Sequence, residues 1–121
     1  MKKTNFIQEK SFDFALHIIE LYKDLRFNQK EFVLSRQILR SGTSIGANVE
    51  EAIGGFSKRD FGAKLNIAYK ESRETRYWLR LLYKSLFVNQ RDFSLLSNDC
   101  DQIIRILTSI LLTLKQSGHI K

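Results

Sequence analysis

The chain has 121 residues, 43% of them hydrophobic, with six glycines, no proline and a formal net charge of +7, which fits one domain, residues 1–121, around one core. Its most apolar stretch, Ile103 to Leu114, is broken by Arg105, Thr108 and Ser109 and falls short of the about 20 apolar residues that a membrane span needs. No apolar h-region follows the basic start Met1-Lys2-Lys3, so the sequence reads as a cytoplasmic protein with no membrane partner, and the lone Cys100 fits a reducing compartment.

Four apolar seams recur at 4,3 spacing, and only a helix brings such positions onto one stripe. The first and loosest runs through Phe14, Ile18, Leu21 and Leu25. The second reads Leu34, Ile38, Ser41, Ile45, Asn48, Ala52. The third reads Phe61, Leu65, Ala68, Ser72, Thr75, Leu79, Leu82, Leu86, and the fourth Leu96, Cys100, Ile103, Leu107, Ile110, Leu114. On that fourth seam Cys100 reads as a small core hydrophobe.

Boundaries follow from end signals. A soft connection around Phe27–Lys30 separates the first two helices, and Gly54-Gly55 ends the second, glycine accepting the left-handed conformation of a C-cap. Ser57 with Asp60, and Asn89 with Asp92, are spaced as capping boxes; Phe56/Phe61 and Val88/Phe93 stand at the matching staple positions. The expected helices span about 5–26, 30–53, 58–87 and 90–116. Lys2–Lys10 and Gly118–Lys121 are expected to fray. Short connections force antiparallel neighbours, so the fold class is all-α: an up-down-up-down four-helix bundle with left-handed packing.

Ser41, Asn48, Ser72 and Thr75 place polar groups on the second and third seams. They either allow close helix approach and bond locally, or form a buried network with Glu51, Glu71 and Glu74 that fixes register or receives a partner. Catalytic chemistry has no foothold: His17 and His119 lie far apart in sequence, and no phosphate loop, nucleophile elbow, Cys-x-x-Cys or di-iron pattern is present. No catalytic residue, metal site or cofactor is expected.

Charge concentrates on the third helix. Between residues 57 and 91 stand Lys58, Arg59, Lys64, Lys70, Arg73, Arg76, Arg80, Lys84 and Arg91 against only Asp60, Glu71 and Glu74. At about 100° per residue, Arg59, Tyr69, Arg73, Arg76, Tyr77, Arg80 and Lys84 share an arc away from the apolar seam. Guanidinium groups meet phosphates and tyrosines stack on bases, so this arc reads as a nucleic-acid face, against the alternative of a solvated charge stripe. Another arc holds Ile67, Glu71, Glu74, Trp78 and Leu81. It reads as a subunit interface in which Glu71 or Glu74 meets a neighbour's arginine, or as a broad face buried within the monomer.

The runs RQILRSGTSIGANVEEAIGGFSKRDF (Arg36–Phe61) and KLNIAYKESRETRYWLRLL (Lys64–Leu82) resemble the small bacterial four-helix bundle proteins of the 23S rRNA intervening sequence protein family. The resemblance is sharpest from Arg40-Ser41 to Glu51, with Glu71, Glu74 and Trp78-Leu79 in the second block. It implies a four-helix monomer, a ring-like homopentamer, and similarity to the accessory protein of diversity-generating retroelements, a basic pentamer that binds nucleic acid and a reverse transcriptase. It supplies no established activity. Arg40, Asn48, Glu51, Glu71 and Glu74 carry over as a polar network at helix or subunit contacts. The resulting expectation is a non-enzymatic homo-oligomer that binds RNA or DNA through backbone phosphates; the alternative is a protein-interaction scaffold.

Overall fold

The computed structural model describes residues 2–121; Met1 lies outside them. Helices α1 (Lys2–Lys23), α2 (Leu34–Ile53), α3 (Lys58–Lys84) and α4 (Gln90–Gln116) form an up-down four-helix bundle. Each packs on its sequence neighbour, α2 most extensively on α3, and α4 closes loosely against α1. The seams converge on one core that includes Phe14, Ile18, Ile38, Ile45, Leu65, Leu79, Cys100 and Leu107. Cys100 is fully buried, its thiol donates to the Ser72 carbonyl at 3.2 Å, and burial pushes its pKa up to about 12. That inert thiol is the core hydrophobe expected of its position.

Both N-terminal caps form. The Ser57 hydroxyl accepts from the Asp60 N–H at 3.0 Å, and the Asn89 carbonyl oxygen from the Asp92 N–H at 2.8 Å, each satisfying an orphan donor. The surrounding detail differs from expectation. Phe56 is fully exposed, so no staple closes over Phe61, and Asp60 makes no return bond to Ser57 among the described residues. Val88 is buried, and Phe93 stacks on Tyr83 with centroids 4.3 Å apart.

Helix ends are where the sequence misleads most. The first helix begins at Lys2 and does not fray: Ile7 is fully buried, and Lys10 bonds Asp99 of α4 at 3.1 Å. It closes through a π-helical turn, Asp24–Asn28, with Lys30 in the left-handed region at φ 58°. The second helix therefore starts at Leu34, not 30, with the Glu31 carboxylate taking the Ser35 N–H at 2.7 Å. Its end at Gly54 has φ −80°, so the glycine pair does not work by left-handed geometry. Gly55 instead permits close passage, since a Cβ there would meet the Ala52 carbonyl at 3.2 Å.

The third helix ends at Lys84, not 87. Leu86 adopts φ 72° and is 88% exposed, so it is the left-handed residue just past the Ser85 C-cap and not the last member of the core seam. The Phe87 N–H reaches the Leu82 carbonyl at 2.9 Å and the Leu86 N–H the Tyr83 carbonyl at 3.1 Å, the paired bonds of a Schellman motif. Helix α4 ends the same way around Gly118, φ 80°, and the segment after it folds back with Ile120 against the core.

A left-handed leucine costs about 1–2 kcal/mol. Leu86→Gly is therefore expected to stabilise the fold by about 0.5–1 kcal/mol after the loss of unfolded-chain restriction. Urea unfolding checks this; a lowered midpoint would contradict the strain account.

Candidate nucleic-acid interface

Helix α3 keeps Leu65, Ala68, Ser72, Thr75, Leu79 and Leu82 buried, which turns the opposite side to water. There the side chains fall into two rows at intervals of seven: Arg59, Asn66, Arg73, Arg80 and Lys70, Tyr77, Lys84, all exposed. Seven residues is close to two full turns, so each row keeps its heading along the helix. Asn66 and Lys70 were absent from the sequence-based arc; the heptad interval was the signal that would have found them.

The expected stripe is partly held in place. The Arg73 guanidinium donates to the Tyr69 hydroxyl at 3.2 Å and lies 5.8 Å over that ring, which is half-buried against the core. Tyr77 meets Trp78 edge-on at 5.1 Å. Arg76 is half-buried and 3.5 Å from Asp101 of α4, so it belongs as much to the α3–α4 seam as to the open face. Among the described residues, Arg59, Arg73, Arg80 and Lys84 have no carboxylate within ion-pair distance.

Glu71 and Glu74 of α3 turn the other way, toward α2. Arg40 donates to Glu71 at 3.0 Å and also to Glu74, whose carboxylate takes the Trp78 indole N–H at 2.9 Å. One step inward the hydroxyls of Ser41 and Thr75 meet at 2.9 Å in full burial. The other members of the expected network stand apart. Asn48 donates to the Ser44 carbonyl at 2.8 Å within α2, and Glu51 pairs with Lys64 of α3 at 3.3 Å. Glu71 and Glu74 thus pair with this chain's own Arg40. Of the remaining arc, Ile67 is 41% exposed, while Trp78 and Leu81 are half-buried.

The Trp78 N–H holds the Glu74 carboxyl below its ordinary range, aided by Arg40 and opposed by burial; Glu74 in turn raises the pKa of Arg40. A depressed carboxyl contributes stability that is present above the unfolded pKa and lost as pH falls through the folded one. In Trp78→Phe the Glu74 titration, followed by carboxyl-carbon NMR, is expected to move up toward ordinary glutamate. The acid-side loss of stability then shrinks; an unmoved midpoint would leave Arg40 as the sole cause.

Elsewhere a groove between α1 and α4 gathers Glu20, Asp24, Asp92 and Asp99 beside His17. Among the described residues, no three His, Cys, Asp or Glu side chains are placed to hold a metal ion, and no helix is long and apolar enough to cross a membrane.

A sequence profile for the 23S rRNA-intervening sequence proteins matches residues 3–109. Among solved structures, a protein of unknown function from the S23 ribosomal protein family of Bacteroides thetaiotaomicron is 50% identical, with TM-score 0.88, over 90% of this chain and 97% of that one. No functionally curated protein matches the chain.

Proposed function

The chain belongs to the 23S rRNA-intervening sequence protein family, and we propose that it is a non-enzymatic, cytoplasmic homo-oligomer that holds RNA or DNA by backbone phosphates. The observation that carries this reading is the pair of heptad rows on α3, where Arg59, Arg73, Arg80 and Lys84 face water with no carboxylate partner among the described residues. An excess of unneutralised cations on one rod attracts a polyanion and gains affinity by releasing its counterions. Exposed Tyr77 adds a ring on which an unpaired base can stack. Contacts to backbone phosphates carry no sequence information, so binding through them is expected to be indifferent to sequence.

Replacing Arg73, Arg76 and Arg80 together with Ala removes mostly exposed charge and should leave the fold intact. Affinity for a short oligonucleotide, read by fluorescence anisotropy across a sodium chloride series, is expected to fall. The slope of log K against log salt should flatten by as much as about 2–3 units. Equal affinity and slope in the variant and the parent would eliminate the stripe.

Exposed apolar side chains favour self-association, with a pentamer the family-implied number, and equally suit a protein partner in the scaffold reading. Ile67 stands 41% exposed beside Trp78 and Leu81 on the arc flanking the Arg40 cluster. An aromatic and aliphatic patch with a charged rim is a common interface composition. Ile67→Asp is expected to lower the mass seen by light scattering while helix content persists; an unaltered mass would move the interface off this arc.

A further inference from the structure

We propose that the cleft where residues 118–121 fold back over the start of α3 is a phosphate-binding site. Gly118 reverses the chain at φ 80°, and the His119 N–H donates to the Leu114 carbonyl at 2.9 Å, fixing the return. Ile120 then lands on Gly62. A Cβ on Gly62 would lie 2.5 Å from the Ile120 Cγ2 and 3.5 Å from the Leu114 Cδ1, so a side chain there would push Ile120 off its seat. The cleft so formed, about 570 Å³, is lined by Arg59 and Asn66 from α3 and by His119 and Lys121 from the returning segment, with no acidic side chain among its lining residues.

Arg59 and Asn66 line it from one side and His119 and Lys121 from the other, so its walls carry guanidinium, carboxamide, imidazole and ammonium groups. Such donors suit a multiply charged oxyanion, and the planar fork of arginine matches phosphate oxygens in particular. Arg59 and Asn66 also begin the row that continues to Arg73 and Arg80, so a phosphate seated in the cleft stands at the head of the stripe. Its source is either a nucleic-acid backbone, which rests on the function proposed above, or a free polyphosphate, which does not.

Amide NMR with inorganic pyrophosphate, at ionic strength matched with sodium chloride, tests the site by itself. Saturable shifts are expected at Gly62, Asn66, Gly118 and His119, and should persist in the Arg73→Ala/Arg80→Ala variant. Arg59→Gln is expected to weaken them at least tenfold, and Gly62→Ala to abolish them by displacing Ile120 while the remaining helical signals stay in place. Shifts that never saturate, that spread evenly over surface lysines and arginines, or that survive both substitutions overturn the proposal. A single-stranded oligonucleotide then separates the sources. Weaker oligonucleotide binding in Arg59→Gln assigns the phosphate to nucleic acid; loss of pyrophosphate binding alone assigns it to a free polyphosphate. Failure of the stripe would show as an unaffected triple-arginine variant, whatever the cleft does.

Discussion

Helix α2 presents small residues at two close contacts, Gly42 toward α1 and Ser41 toward α3, and that thinness sets the geometry of the bundle. A Cβ on Gly42 would lie 2.9 Å from two carbons of Ile18, so α1 and α2 approach as far as backbone and isoleucine allow. On the other side the Ser41 and Thr75 hydroxyls meet at 2.9 Å, and Thr75 also donates to the Glu71 carbonyl at 2.8 Å. Small residues with locally satisfied hydroxyls let helices approach closely without orphaning a buried polar group. Among the described residues none is orphaned. The Ser41–Thr75 contact also fixes register, because a slip of one turn would put a hydroxyl against an apolar neighbour. With that register set, Arg40, one residue before Ser41, comes within reach of Glu71 and Glu74.

The Arg40 cluster governs the electrostatics of α3. That helix carries both signs, and a mixed helix ordinarily neutralises itself through pairs three or four residues apart. Here Glu71 and Glu74 are drawn to the α2 side by Arg40 and Trp78, and Arg76 is drawn to Asp101 of α4. Glu74 stands one position from Arg73 in sequence yet faces a different neighbour. The outer rows therefore keep their positive charge, while the carboxylates of Glu20, Asp24, Asp92 and Asp99 collect in the groove between α1 and α4. Two oppositely charged surfaces result, the basic rows of α3 and the acidic groove.

The seams and both N-caps were legible in the sequence because each rests on chemistry local to one helix: a 4,3 interval, or a Ser or Asn three residues before an Asp. C-terminal ends were less so. The left-handed positions fall on Lys30 and Leu86 as well as Gly118, and a leucine carries no mark of that role. Leu86 even keeps the apolar interval of the third seam, which is why periodicity alone extends the helix past its end. The basic face was readable from spacing, but the partners of Glu71 and Glu74 were not. A pair of glutamates near a tryptophan is consistent with a neighbouring subunit's arginine or with Arg40 some thirty residues upstream, and only the register of α2 on α3 decides. The fold-back onto Gly62 was likewise hidden, since a glycine inside a helix looks the same whether it relieves crowding or not.

On the function proposed above, the spacing of the rows sets what kind of nucleic-acid contact they would favour. At about 1.5 Å rise per residue, successive members of one row are about 10 Å apart, close to three base steps of about 3.4 Å in a duplex strand. The rows are offset by three or four residues, which puts a polar or charged group about every 5 Å along the helix from Asn66 to Lys84. A rod with charge at that pitch meets phosphates wherever it is laid along a strand, and sliding it changes the number of contacts little. Such a surface gives affinity and salt sensitivity without register. Any positional preference must then come from features at the ends of the rows, where the cleft over Gly62 closes one end and the left-handed turn at Leu86 the other.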